Sequence, residues 1–300
     1  MKNVVFFTEP EWAFGAIHYN LAKYLFQYGY NCHLLSWQKG YTIQEMIELD
    51  TVTDLYLTNP HGYRFLVHNF ARVRPDKVVV VTHGKLDLDD LINHHGYDDF
   101  DRFRRFAGVS KWMSDVSKSR GIQREMEIAP LGINYESFYS SPSLELRTVG
   151  YAGAYTANNV HHNVKRVHLI EQAVHKAGLA LKASQSYNNT FITMPGFYRS
   201  VDAVIIASSE ESAGLPALEA GASGKLVITT PVGHYNSRIT SLGADCVPID
   251  ENQFVEQTAA LLIKYKEDRN LYIKRCLEIQ SHAKTYDWHY VIDRWIDLLK

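Results

Sequence analysis

Residues 203–229 read AVIIASSEESAGLPALEAGASGKLVIT, and this stretch decides the fold. The apolar run Ala203–Ala207 ends in a polar loop, Ser208–Gly214. Pro216 then opens a helix that stops before Gly224, and Leu226–Thr229 is apolar again. Proline suits a first helical turn because its missing N–H has no partner there anyway. Unbroken apolar runs without alternation suit parallel strands covered on both faces. Strand, helix and strand in that order are the repeating unit of a doubly wound α/β sheet.

Working outward, the same alternation fills the chain. Asn3–Thr8, Cys32–Ser36, Asp54–Thr58, Lys77–Thr82, Phe106–Val109 and Glu127–Ala129 read as strands. Ile17, Leu21, Leu25 and Tyr28 form one helical face that Gly29 stops. Ser140-Ser141-Pro142-Ser143 is a candidate linker. After it come strands at Thr148–Gly153, Leu179–Ala183 and Cys246–Ile249, and a helix carrying Val167, Ile170, Val174 and Ala177. Trp288, Val291, Ile292, Trp295, Leu298 and Leu299 stripe a final helix. The expectation is two Rossmann-like domains with a cleft between the carboxyl ends of their sheets, where ligands of this class bind. The boundaries expected are 1–141, completed by 286–300, and 144–285.

Composition narrows the function. A 300-residue chain with 46% hydrophobic and 21% charged residues can bury two ordinary cores. Thirty-one basic against 33 acidic residues give a net charge of −2, which removes the basic surface a general nucleic-acid binder needs. Cys32, Cys246 and Cys276 have neither redox nor metal spacing, so a reducing cytoplasm is the expected setting. No apolar run approaches the ~18 residues of a membrane span, which leaves peripheral membrane contact open. No G-x-G-x-x-G follows the first strand, which disfavours a dinucleotide enzyme.

The loop and helix at 208–224 carry the chemistry. The N–H groups of Gly214 and Leu215 lie at a helix start, where unpaired donors and the macrodipole favour an anion such as a diphosphate. Glu211 and Glu219 bracket that opening, and Glu219 leans back toward it because helical side chains tilt toward the N-terminus. Carboxylates repel phosphate and bind hydroxyls, so a diphosphate flanked by two polyols, a nucleotide sugar, fits. On spacing alone the alternative has equal standing: Glu219 complementing a helix dipole and Glu211 on a solvated loop.

Glu211 and Glu219, set in ESAGLPALEAGASGKLVITTPVG, closely resemble the signature of the family 4 retaining glycosyltransferases of the GT-B fold. Phe106–Phe138 is similar to the stretch that closes that family's first domain. Val149–Ala173, with KRVHLIEQA, is similar to the opening of its donor domain, and Trp288 in YDWHYVIDRWIDLL to its returning helix. The likeness covers most of the chain and is weakest over residues 36–75.

The resemblance implies roles. Glu219 bonds the donor ribose, and Glu211 faces the transferred sugar. Gly153, Gly214 and Leu215 approach the diphosphate, and Lys165 neutralises it in place of a metal, so no cofactor is expected. His83, at the end of VVVVT, lines the reaction centre, although a lone histidine there is by itself more often structural. Gly15 corresponds to one glycine of a pair in the loop after the first strand. The family's phosphate arginine falls on Ala154, so either Arg166, Arg199 or another basic residue replaces it or the diphosphate is stabilised less strongly.

Implied partners are a UDP- or GDP-hexose donor and a glycan, glycoconjugate or lipid-linked acceptor. A nucleotide-sugar epimerase, a donor hydrolase and a binding protein without turnover are the alternatives. The pairs His94-His95 and His161-His162 lack metal-site spacing and read as loop histidines. Asp87, Asp89, Asp90, Asp98, Asp99 and Asp101 read as a solvated face or an acceptor-side lip.

Overall fold

The computed structural model describes residues 1–9, 12–70, 73–153, 162–184, 191–235 and 242–300. The chain divides into two compact units, residues 1–132 with 288–300, and residues 133–287.

The first unit runs β1 (Lys2–Thr8), α1 (Trp12–Phe26), β2 (Tyr30–Ser36), α2 (Ile43–Val52), β3 (Leu55–Thr58), α3 (Pro60–Arg64), β4 (Val78–Thr82), α4 (Lys85–His95), β5 (Arg105–Gly108), α5 (Lys111–Ser119) and β6 (Glu127–Ile128). Its six strands are all parallel, in the order β2-β1-β3-β4-β5-β6. The valines of β4 are buried throughout, as an unbroken apolar run requires when helices cover both faces. Thr42 caps α2 through a reciprocal pair with Glu45, a local signal worth ~1 kcal/mol. Tyr28 lies beyond the end of α1 and is exposed, so the helical face read from the sequence ends at Leu25.

The second unit contains α6 (Tyr135–Phe138), β7 (Thr148–Tyr151), α7 (His162–Lys165), α8 (Val167–Lys176), β8 (Ala180–Ala183), α9 (Met194–Arg199), β9 (Ala203–Ile206), α10 (Leu215–Ala222), β10 (Leu226–Thr229), β11 (Asp245–Cys246), α11 (Glu251–Glu267) and α12 (Arg269–Lys284). Its parallel strands follow the order β11-β10-β9-β7-β8. Ser140 lies within this unit. Its hydroxyl donates to the Ser223 carbonyl at 2.7 Å, and its own carbonyl accepts from Gln280 at 2.8 Å. The chain passes from the first unit to the second between Gly132 and Ile133.

The last helix, α13 (Trp288–Leu299), belongs to the first unit. All six residues of its sequence stripe are buried, and Trp295 Nε1 donates to the Pro130 carbonyl at 2.9 Å. His94 and His95 are not loop residues. They form the last turn of α4, because helical propensity carries through to Gly96, whose φ of 69° ends the helix. His161 lies outside the described residues.

Candidate functional site

Both sheets reverse their strand order once, between β1 and β3 in the first unit and between β7 and β9 in the second. Ligands of open α/β sheets settle at the carboxyl ends of the strands flanking such a point. In the second unit those ends lead to Gly153 and to the loop Ser208–Gly214.

Ser208 Oγ donates to Glu211 Oε1 at 2.7 Å, and the Lys165 ammonium pairs with the same oxygen. The Ser209 N–H reaches the Val164 carbonyl at 2.9 Å, and the Thr230 hydroxyl donates to the Ser208 carbonyl at 2.5 Å. The loop after β9 is therefore tied to α7 by both side chain and backbone. A cation and a carboxylate are held together beside the start of α10.

Gly214 is the N-cap of α10 with φ 79°, a left-handed conformation that suits glycine because it has no Cβ to clash. The first bond of the helix runs from Ala217 N–H to the Gly214 carbonyl at 3.0 Å, so the N–H groups of Gly214 and Leu215 precede the ladder, and Pro216 has none. The His234 N–H donates to the Ala213 carbonyl at 3.1 Å and fixes the approach to this turn. Gly153 leaves room for Tyr151, whose hydroxyl would lie 2.6 Å from an added Cβ.

Glu219 faces back along α10 and accepts the Tyr198 hydroxyl at 2.7 Å. Burial pushes its carboxyl up to about 7, while the Tyr198 bond acts in the opposite direction. Tyr198, on α9, is fully buried, and burial followed by the Glu219 charge raises its own proton affinity. A carboxylate in this setting has a strong physical reason to take further hydroxyl donors.

The two proposed replacement bases do not lie at the helix start. Arg166 has φ 47°, the one non-glycine positive φ among the described residues, and it separates α7 from α8. Its guanidinium donates to the carbonyls of Ala207 and Ile249, each at 2.6 Å. Arg199 donates to the Ser137 carbonyl at 3.2 Å. Ala154 lies outside the described residues.

In the first unit, His83 follows β4 directly. Phe14 meets it edge-on with ring centroids 4.9 Å apart, and His18 lies 6.2 Å away. Burial and then the neighbouring His18 depress His83 to about 3, and burial depresses His18 to about 4 despite its bond to the Phe14 carbonyl. Both rings are neutral near pH 7. Asp87 accepts backbone hydrogen bonds from His83 and Gly84, but burial outweighs them and lifts it to about 6.

Gly15 does not lie in a loop. It sits in the first turns of α1, because that helix begins at Trp12, almost directly after β1. The acidic stretch is a solvated face only in part, at the exposed Asp98 and Asp101. Asp89 pairs with Arg120 at 2.7 Å, Asp90 with His61 at 3.2 Å, and Asp99 is buried.

Neither a family model nor a curated protein sequence matches this chain. Solved structures do. Anabaena HepE, in complex with UDP and glucose, superposes with a TM-score of 0.70 at 14% identity, covering 100% of this chain and 99% of HepE. An alpha-glucosyltransferase in complex with UDP and a 13-mer DNA gives 0.64 at 11% identity, over 99% of each chain. Sucrose-phosphate synthase from Thermosynechococcus elongatus gives 0.67 at 11%, over 99% and 98%. The fold is GT-B. At these identities the likeness speaks for the architecture, and the chemistry has to be argued from the residues.

Sequence reasoning missed Tyr198, Ser208 and the backbone role of His234. Nothing singled out Tyr198 among 19 tyrosines, since its partner Glu219 is brought to it only by tertiary packing. Ser208 had a local signal: a hydroxyl three residues before Glu211, at the spacing of a loop hydrogen bond.

Proposed function

We propose that this protein is a retaining glycosyltransferase that moves a hexose from a UDP- or GDP-hexose to a hydroxyl of a glycan, glycoconjugate or lipid-linked acceptor. One observation carries the reading. Lys165, Glu211 and the Gly214–Leu215 helix start converge at the carboxyl edge, at the β7/β9 switch point, where a diphosphate with a sugar on either side would be met by matching groups.

On this reading the helix start and Lys165 take the diphosphate, Glu219 takes the ribose hydroxyls and Glu211 the hexose. The acceptor oxygen attacks the anomeric carbon from the face the diphosphate leaves. The C–O bond to phosphate breaks, and the acceptor proton passes to the leaving oxygen. Neutral His83 offers one ring nitrogen as donor and one as acceptor to sugar hydroxyls. Charge developing on the diphosphate is met by Lys165 and oriented N–H groups, so the step calls for no metal. Among the described residues no helix is long and apolar enough to cross a membrane.

The test is a panel of UDP-, GDP- and ADP-hexoses, scored by thermal stabilisation and then by nucleotide release with and without glycan acceptors. Stabilisation by at least one hexose donor, with acceptor-dependent release of its nucleoside diphosphate, is the expected result. If no nucleotide sugar stabilises the chain, the reading fails. A nucleotide-sugar-binding protein without turnover is the second reading, favoured by one observation: Arg166 is committed to the carbonyls of Ala207 and Ile249. It predicts stabilisation with neither release nor a new nucleotide sugar.

A further inference from the structure

His68, His95 and Asp99 come from three separate elements. After α3 the chain continues as a wider helical turn, Phe65–Asn69, which carries His68. His95 is the last residue of α4, and Asp99 lies in the turn Asp98–Asp101 that leads to β5. Both helices start at the carboxyl edge of the sheet and run back, so the three residues gather at its amino edge, opposite His83. One ligand atom from each lies within 4.8 Å of the others.

The contacts divide the work of the carboxylate. Asp99 Oδ1 accepts the Tyr63 hydroxyl at 3.0 Å and Arg102 Nη1 at 2.9 Å. Oδ2 faces His68 Nε2 at 2.5 Å. The His68 and His95 rings lie face to face, with centroids 3.6 Å apart and 5° between their planes. None of the Asp99 bonds reaches His95.

We propose that His68, His95 and Asp99 form a binding site for a divalent transition metal ion, zinc by ligand chemistry, that fastens α3 and α4 to the turn before β5. Two imidazoles, one carboxylate and a water make a four-coordinate set typical of zinc. The Tyr63 hydroxyl on Asp99 is the outer bond that orients a ligating carboxylate, and it holds the oxygen the ion does not use. Metal–ligand bonds of ~2.1 Å put ligand atoms about 3.4 Å apart, so on loading the His68–Asp99 pair opens from 2.5 Å. The rings turn out of their stack as the ion enters, because parallel rings cannot both aim a lone pair at one ion. Arg102 is exposed and adds a positive charge beside Asp99, which sets the affinity below that of a thiolate site. The ion lies away from His83 and serves stability.

Zinc is titrated into the chelator-stripped 300-residue chain by calorimetry and thermal melting, with cobalt(II) absorption as a second readout. One equivalent should bind, raise the melting temperature and give the visible bands of tetrahedral cobalt. His95→Ala and His95→Gln should each weaken zinc binding at least tenfold and abolish the cobalt bands. His94→Ala, one residue away and exposed, should change neither. Absence of stoichiometric binding by the wild type, or His95 variants that bind like the wild type, would overturn the proposal. The wild-type cobalt spectrum decides it even if a variant folds poorly, since a surface histidine pair gives no tetrahedral signature.

Discussion

The carboxyl edges of the two sheets share one topology and carry opposite chemistry. In the second unit Glu211 is tied to Lys165 and Ser208 in the loop that leads to the open start of α10, and Glu219, within that helix, is tied to Tyr198. In the first unit the corresponding edge holds His83 and His18 packed on Phe14, both kept uncharged by burial. A doubly wound sheet fixes where a ligand sits, and the side chains at its edge decide whether that ligand is an anion or a neutral polyol.

That contrast can be broken by substitution. Lys165→Ala should have the largest effect, lowering kcat with the preferred donor by roughly 10²–10³, the scale of losing one preorganised charge-stabilising group. A fall of less than threefold would mean the leaving charge is met elsewhere. Next, Glu219→Gln should weaken donor binding by roughly 10–100-fold in calorimetry, since hydrogen bonds to a charged group are worth ~1.5–3 kcal/mol. The same variant should melt higher at pH 8. The native carboxyl holds its proton to about 7 against an ordinary 4.5, so ionisation costs stability as pH rises between those values, and glutamine removes that slope.

His83→Ala tests the neutral edge. It should lower kcat by up to about tenfold, the scale of one neutral hydrogen bond, and leave donor affinity within twofold. A larger loss in affinity than in kcat would assign His83 to donor binding. The smallest and sharpest test is Tyr198→Phe. Donor KM should rise severalfold with kcat unchanged. Donor binding, which strengthens as Glu219 ionises with rising pH, should acquire a midpoint above 7 because the bond favouring the carboxylate is gone. An unshifted pH profile would make Tyr198 a packing residue only.

The legible parts were those encoded by contiguous pattern. The valines of β4, the stripe of α13 and the strand–loop–helix at 203–224 each announce themselves within 22 residues or fewer, because periodicity and turn chemistry are local. Glu211, Gly214, Leu215 and Glu219 are spaced along one such segment. The illegible parts depend on packing across distance. Arg166 looked available for phosphate until its left-handed backbone turned the guanidinium onto two carbonyls. Gly15 looked like a loop residue because the length of the turn between β1 and α1 is not written in its composition. His95 reads with His94 as a loop histidine without metal-site spacing, since its neighbours His68 and Asp99 arrive from other elements.

Because residues 288–300 belong with residues 1–132, the second unit is an insertion in the first. Trp288 and Trp295, both fully buried, complete a core whose other parts are made more than 150 residues earlier. During synthesis the inserted unit is therefore complete while its host still lacks a helix. Removing α13 should leave the inserted unit folded and its host open, since losing even one such tryptophan costs ~3–5 kcal/mol. Loss of that one helix would thus expose the host's core to proteases while the inserted unit stayed closed.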